Sequence, residues 1–207
     1  MKKSARELTI GAVVICVLAG GGLFGYQQIF TKGLDRLPAR VCDGAIKRET
    51  AARVLPDARS AGDNAGVTGT GQNFFLGCKV DTSGNSIVSG EAKLDDASLK
   101  NWVDYYKGKI DAKVLRVSVG DVEALSLSGT ASVYVPCVPR GVNASDANQS
   151  YAMITEARVI GMSRVKGAAL RQALTDFAYQ LTEHAYKVGE CQKPLKFPQE
   201  LPRYKSS

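Results

Sequence analysis

Histidine is almost missing from this chain. His184 is the single imidazole among 207 residues, and that scarcity removes several chemistries. A Ser–His–acid triad has one place to sit. Glu183 is the immediate neighbour of His184 and, on a helix, looks another way. A histidine at the edge of an apolar stripe is therefore the simpler reading. No Cys-x-x-Cys pair occurs, so a zinc site would lack ligands. No glycine-rich phosphate cradle occurs either: Gly69-Thr70-Gly71 lacks the lysine and the helix that should follow. Asp63-Asn64-Ala65-Gly66 is too sparse for a calcium loop. Asp95 and Asp96 are adjacent, so their side chains diverge. The sequence thus offers no catalytic, cofactor-binding or metal residue, and the expectation is a protein that is not an enzyme. Convergent polar groups of any kind are not visible.

Charge is the next absence. From Leu8 through Thr31 there is no charged side chain. About 20 apolar residues cross a hydrocarbon core some 30 Å thick, and residues 8–30 supply that span. Lys2, Lys3 and Arg6 precede it, which favours a cytoplasmic N-terminus over residues 1–7. Tyr26 falls where an interfacial aromatic belongs. Ala19-Gly20-Gly21 offers a cleavage site for a secretory signal. The apolar character continues past it through Leu23, Phe24, Ile29 and Phe30, which suits an uncleaved anchor better. Cys16 stands mid-run after Val13-Val14-Ile15, the wrong place for a lipid-modified cysteine, and reads as a small hydrophobe. Gly21 and Gly25 have a spacing that lets two anchors pack closely. The expected location is the plasma membrane, single-pass, with the body outside the cytoplasm. Residues 31–40 form a stalk, 41–191 the domain and 192–207 a proline-containing tail.

The formal charge is +7, dispersed rather than striped, and an exported domain does not meet nucleic acid. Four cysteines lie outside the anchor: Cys42, Cys78, Cys137 and Cys191. An even count in an exported domain reads as disulfides, with three connectivities available. Cys42–Cys78 and Cys137–Cys191 are favoured, since each joins a helix flank to a nearby strand.

The patterning predicts a helix over about 47–55, stopped by Pro56, and a loop over 57–71 from its Gly, Ala, Ser, Thr and Asn content. Phe74, Leu76, Cys78 and Val80 alternate inward on a strand, and 87–94 returns after a turn. Asp95 or Asp96 should cap the next helix, whose stripe is Leu99, Trp102, Val103 and Tyr106. Trp102, the only tryptophan, reads as core rather than a stacking platform. Strands follow at 115–119, 122–127 and 133–137. Pro136 marks an edge or irregular end. A polar loop, 140–150, holds two chance-level glycosylation sequons at Asn143 and Asn148. A long strand, 151–161, leads to a helix over about 164–188, capped by Ser163 and ended by Gly189. Its stripe is Leu170, Leu174, Phe177, Leu181, Ala185 and Val188. Leu195, Phe197 and Leu201 of the tail should lie on the body. The class is α+β: an antiparallel sheet packed against helices, preceded by one transmembrane helix.

Val41-Cys42-Asp43 through Leu55-Pro56, then Phe75-Leu76-Gly77-Cys78-Lys79-Val80, resembles uncharacterised exported domains of actinobacterial lipoproteins and membrane-anchored proteins. The likeness spans about residues 40–95. It implies a Cys42–Cys78 bridge and an envelope location, and brings no activity. The functional expectation is a binding module that meets an envelope protein or a cell-wall component. A hydrolase or transferase with carboxylates assembled by the fold, and a structural subunit of an envelope assembly, are the alternatives.

Overall fold

The computed structural model describes residues 32–108, 114–142 and 150–204. The anchor expected over 8–30 and both sequon asparagines lie outside these residues. Among the described residues no helix is long and apolar enough to cross a membrane.

A small pair, β1 (Arg40–Val41) and β2 (Ile46–Lys47), leads into α1 (Arg48–Val54). Seven further strands form one antiparallel sheet: β3 (Ala61–Thr68), β4 (Phe75–Thr82), β5 (Ile87–Asp96), β6 (Leu115–Val119), β7 (Val122–Ser126), β8 (Thr130–Pro136) and β9 (Tyr151–Ile160). Their order is β3-β4-β5-β9-β8-β7-β6. Two meanders, β3-β4-β5 and β6-β7-β8-β9, therefore meet at β5 and β9, whose ladder runs from Ile87↔Ile160 to Asp96↔Tyr151. Helix α2 (Leu99–Gly108) follows the first meander and α3 (Gly167–Val188) follows the second. The class is α+β.

The sheet has two unlike faces because side chains alternate along each strand. The inner face carries Leu76, Cys78, Val80, Val88, Ala92, Val133, Val135 and Met153, all buried. Helices α1 and α3 cover it with Val54, Leu174, Phe177, Leu181 and Ala185. Gly90 is inward on β5 for a steric reason: a Cβ there would stand 2.6 Å from Leu181 Cδ2 and 2.9 Å from Phe177 Cε1. The outer face is covered over one half only. There Trp102, Val103 and Tyr106 of α2 pack on Leu125, Tyr134, Ala152 and Ile154 in a second core.

The bridges Cys42–Cys78 and Cys137–Cys191 have Cα–Cα distances of 5.5 and 5.1 Å. The first pins a flank of the domain to β4, the middle strand of its meander, and the second pins the end of α3 to the residue just past β8. Two bridges in one domain are characteristic of an oxidising compartment. Cys42 and Asp43 have φ of 55° and 52°, in the left-handed region that non-glycine residues seldom occupy. The bridge and a 2.6 Å bond from the Cys42 amide to Asp63 Oδ2 hold them there.

Four local expectations need correction. Residues 61–68 are a strand, not a loop. Their small, mostly exposed side chains carry no apolar alternation, and what makes them a strand is backbone pairing with β4 from Ala61↔Thr82 to Thr68↔Phe75. Asp95 and Asp96 end β5 instead of capping α2; the cap is Ser98, whose Oγ accepts from the Asn101 amide at 3.2 Å. Ser163 does not cap α3, which starts after Lys166 without a side-chain cap. Its hydroxyl donates to the Val54 carbonyl at 2.8 Å, and the Arg164 amide donates to that same oxygen at 2.9 Å. Arg164 Nε reaches the Leu55 carbonyl. Those two residues thus satisfy the open C-terminus of α1. Gly189 does follow α3, but with φ of −76°; the left-handed residue is Glu190. Gly189 is required instead by closeness, since a Cβ would meet the Ala185 carbonyl and Met153 Cε at 2.9 Å each. Pro136 lies beyond the last β7 partner, Glu123↔Tyr134, so its missing amide costs no bond on that side.

The tail runs as a strap along α3. Leu201 is buried and Leu195 and Phe197 pack on the core. The Phe197 ring meets Tyr179 and Tyr186. Tyr186 Oη donates to the Lys193 carbonyl at 2.7 Å, and Tyr179 Oη donates to the Pro198 carbonyl. Burial, aided by Glu183, pushes the Tyr179 phenol up to about 12, so it stays a neutral donor.

Candidate functional site

A groove of about 410 Å³ opens where α2 leans on the outer face of β5 and β9. Strand alternation builds its floor. Glu91, Lys93 and Asp95 sit at every second position of β5, opposite the buried Ala92 and Leu94. On β9, Ile154 and Glu156 share that face, in register with Lys93 and Glu91. The helix supplies the wall: Asn101, Trp102, Tyr105 and Tyr106.

The polar groups are held in place by one another. Lys93 Nζ lies 2.7 Å from Asp95 Oδ2. Arg158, on the rim, reaches Glu91 Oε1 at 3.5 Å. Tyr106 Oη donates to Glu156 Oε2 at 2.7 Å. Burial foremost raises the Tyr106 phenol pKa, with the Glu156 carboxylate pushing the same way and a Ser132 hydrogen bond opposing. Tyr106 is therefore a donor at any ordinary pH. Trp102 is 3% exposed and donates from Nε1 to Ser132 Oγ at 3.0 Å. It is core, as its stripe position implies, and it also lines the groove. Behind it, Tyr134 Oη donates to the carbonyl of Ala97, a lining residue, at 3.1 Å.

The aromatic wall is ordered by ring contacts. Tyr105 and Tyr106 stand edge to face, 5.1 Å apart at 88°, and Trp102 meets Tyr106 at 5.8 Å and 72°. Tyr105 remains 54% exposed. Glu91 also lines a separate shallow depression over the uncovered half of the sheet, together with Phe75, Gly77, Ser89, Arg158 and Ile160. Ile160 and Met162 are among the most exposed apolar residues.

The sequence shows no convergent polar cluster, yet Glu91, Lys93, Asp95 and Glu156 converge here. The signal lies in the i, i+2 spacing of the three β5 residues. What the sequence lacks is the pairing of β5 with β9 across more than fifty intervening residues. His184 is elsewhere, on α3 behind the sheet; burial lowers its pKa, and Lys187 and Arg40 add to the effect. Among the described residues no group of His, Cys, Asp and Glu side chains could hold a metal ion. Cys42, Cys78, Cys137 and Cys191 are all consumed in bridges.

No family model matches this chain, and no curated protein or solved structure resembles it at a significant level.

Proposed function

We propose that this protein is a single-pass, membrane-anchored binding module of the cell envelope, with its N-terminus cytoplasmic and its body outside, and that the α2 groove is its ligand site. The observation that carries the reading is the groove itself. It combines an open groove of small-molecule volume, an aromatic wall ordered by ring contacts and charged groups already engaged with partners. Pre-ordered groups bind at lower entropic cost. The uncharged run of residues 8–30 and the two bridges support the location. The ligand is a wall component or an envelope partner protein.

A photoreactive residue at position 105, in intact membranes, tests the reading. It should form an adduct with an envelope component, and the same probe at exposed Val188, behind the sheet, should not. The chain should resist alkaline extraction and be digested by protease added from outside. Equal labelling from both positions, or a body shielded from the protease, contradicts the proposal.

One observation favours a second reading, a hydrolase or transferase. Glu91 and Glu156 are directly opposed across β5 and β9 inside the groove, which brings their Cβ atoms to about 4.5–5.5 Å. Against it, Glu156 is engaged by Tyr106 and Glu91 by Arg158, the arrangement of a positioned pair of acceptors more than of a free acid and base.

A further inference from the structure

We infer that the groove takes a saccharide, a neutral ring bearing several hydroxyls. This rests on the groove being a binding site, as proposed above, and names the ligand class.

The groove charges come with partners. Asp95 has Lys93, Glu91 has Arg158, and Glu156 has the Tyr106 hydroxyl. Lys93 and Arg158 balance Asp95 and Glu91, whereas Glu156 meets only a neutral hydroxyl and keeps its charge, so the lining repels an anion and favours hydroxyl donors. Each carboxylate nevertheless has lone pairs to spare, since two oxygens offer about four acceptor positions. The Lys93 ammonium has donors left after one bond, and the Asn101 amide offers both kinds. A ligand that suits such a lining is uncharged and dense in hydroxyls. Its bonds to ionised groups are of the stronger, charge-assisted kind. Those groups are already oriented by their partners, so little freedom is lost on binding.

The wall supplies the other half of the recognition. A sugar ring is amphipathic, with hydroxyls around its equator and C–H groups on its faces. Tyr105 and Tyr106 stand at 88° and line one side, while Glu91, Lys93, Asp95 and Glu156 line the other. Tyr105 is the exposed ring of the two, so a sugar seated against it meets aromatic carbon on a face and polar groups at its edge. The volume, about 410 Å³, lies within the range typical of small-molecule sites. An open depression adjoins the groove at Glu91, which lines both, and it gives a longer chain of sugars a surface to run across.

The protein carries its own reporter. Trp102 is the sole tryptophan and lines the groove, so intrinsic fluorescence excited at the indole reads this site. The full chain is placed in lipid nanodiscs, without sugar-based detergents. It is then titrated with N-acetylglucosamine and its short oligomers, and with galactose, mannose and arabinose oligomers. At least one should shift the Trp102 emission saturably. Tyr105→Ala and Glu91→Gln should each weaken that response about tenfold or more; both side chains are half-exposed, so the fold is retained, which circular dichroism verifies. No response to any saccharide overturns the inference. So does a response unchanged in both variants, or one to choline or lysine amide alone. An adduct from position 105 with a silent saccharide titration removes the ligand class and keeps the site. Loss of both removes the site as well.

Discussion

His184 is the residue whose chemistry is most exposed to pH. Burial, then Lys187 and Arg40, hold its imidazole below the ordinary 6.5, while Asp43 and Glu183 pull the other way. The unfolded chain therefore binds a proton there more readily than the folded one. The stabilisation is present above about pH 6.5 and declines as pH falls below it toward the folded value. In His184→Gln, the difference in urea midpoint between about pH 7.5 and pH 5.5 should shrink relative to the parent. A larger difference would contradict the assignment. Asp63 is a second instructive residue. In sequence it belongs to a sparse acidic loop. In the fold its carboxylate anchors the Cys42 amide from twenty-one residues away. A bond of that range has no local signature, and neither has the role of Ser163 at the end of α1.

At the scale of the element, the closest approach in the core is between α3 and β5. Gly90 leaves no room for a methyl group between itself, Leu181 and Phe177. Gly90→Ala should cost about 1–3 kcal/mol through forced rotamers or a displaced helix, read as a lower urea midpoint with an unchanged slope. An unaffected midpoint would mean the helix sits farther out. Elements whose faces differ were legible before any coordinates. The β4 alternation of Phe74, Leu76, Cys78 and Val80 is buried as expected, and so is the α2 stripe of Trp102, Val103 and Tyr106. Leu174, Phe177, Leu181 and Ala185 of α3 are buried too, whereas Val188, at the end of that expected stripe, is exposed. The illegible element was β3. Ala61-Gly62-Asp63-Asn64-Ala65-Gly66 has little β propensity, and it is a strand because β4 offers a free edge. The groove was illegible for a related reason. Its two strands are each readable, but their adjacency is a property of the sheet order.

For the whole molecule, the bridges matter most. They close loops with sequence separations of 36 and 54, and loop entropy assigns such closures about 3–4 kcal/mol each. Replacing Cys137 and Cys191 together by serine should lower the unfolding free energy by an amount of that order, seen as a lower unfolding midpoint. It should also loosen the start of the strap, where Gln192 donates to the Pro139 carbonyl beside that bridge. Calorimetry of the parent and the double variant provides the check; a midpoint change within error would show that the tail is held without the bond.

The Cys42–Cys78 bridge also decides how tension travels. A pull applied to the chain at Lys32 passes Cys42 and crosses the sulfurs into β4, the neighbour of β5. Residues 43–77, including the turn at Asp43, α1 and the weakly patterned β3, lie inside the covalent loop and carry none of the load transmitted through the backbone. Shear on a molecule gripped at its groove would therefore bear on the interior of the sheet, where the ladders are long, and bypass the edge that would peel first.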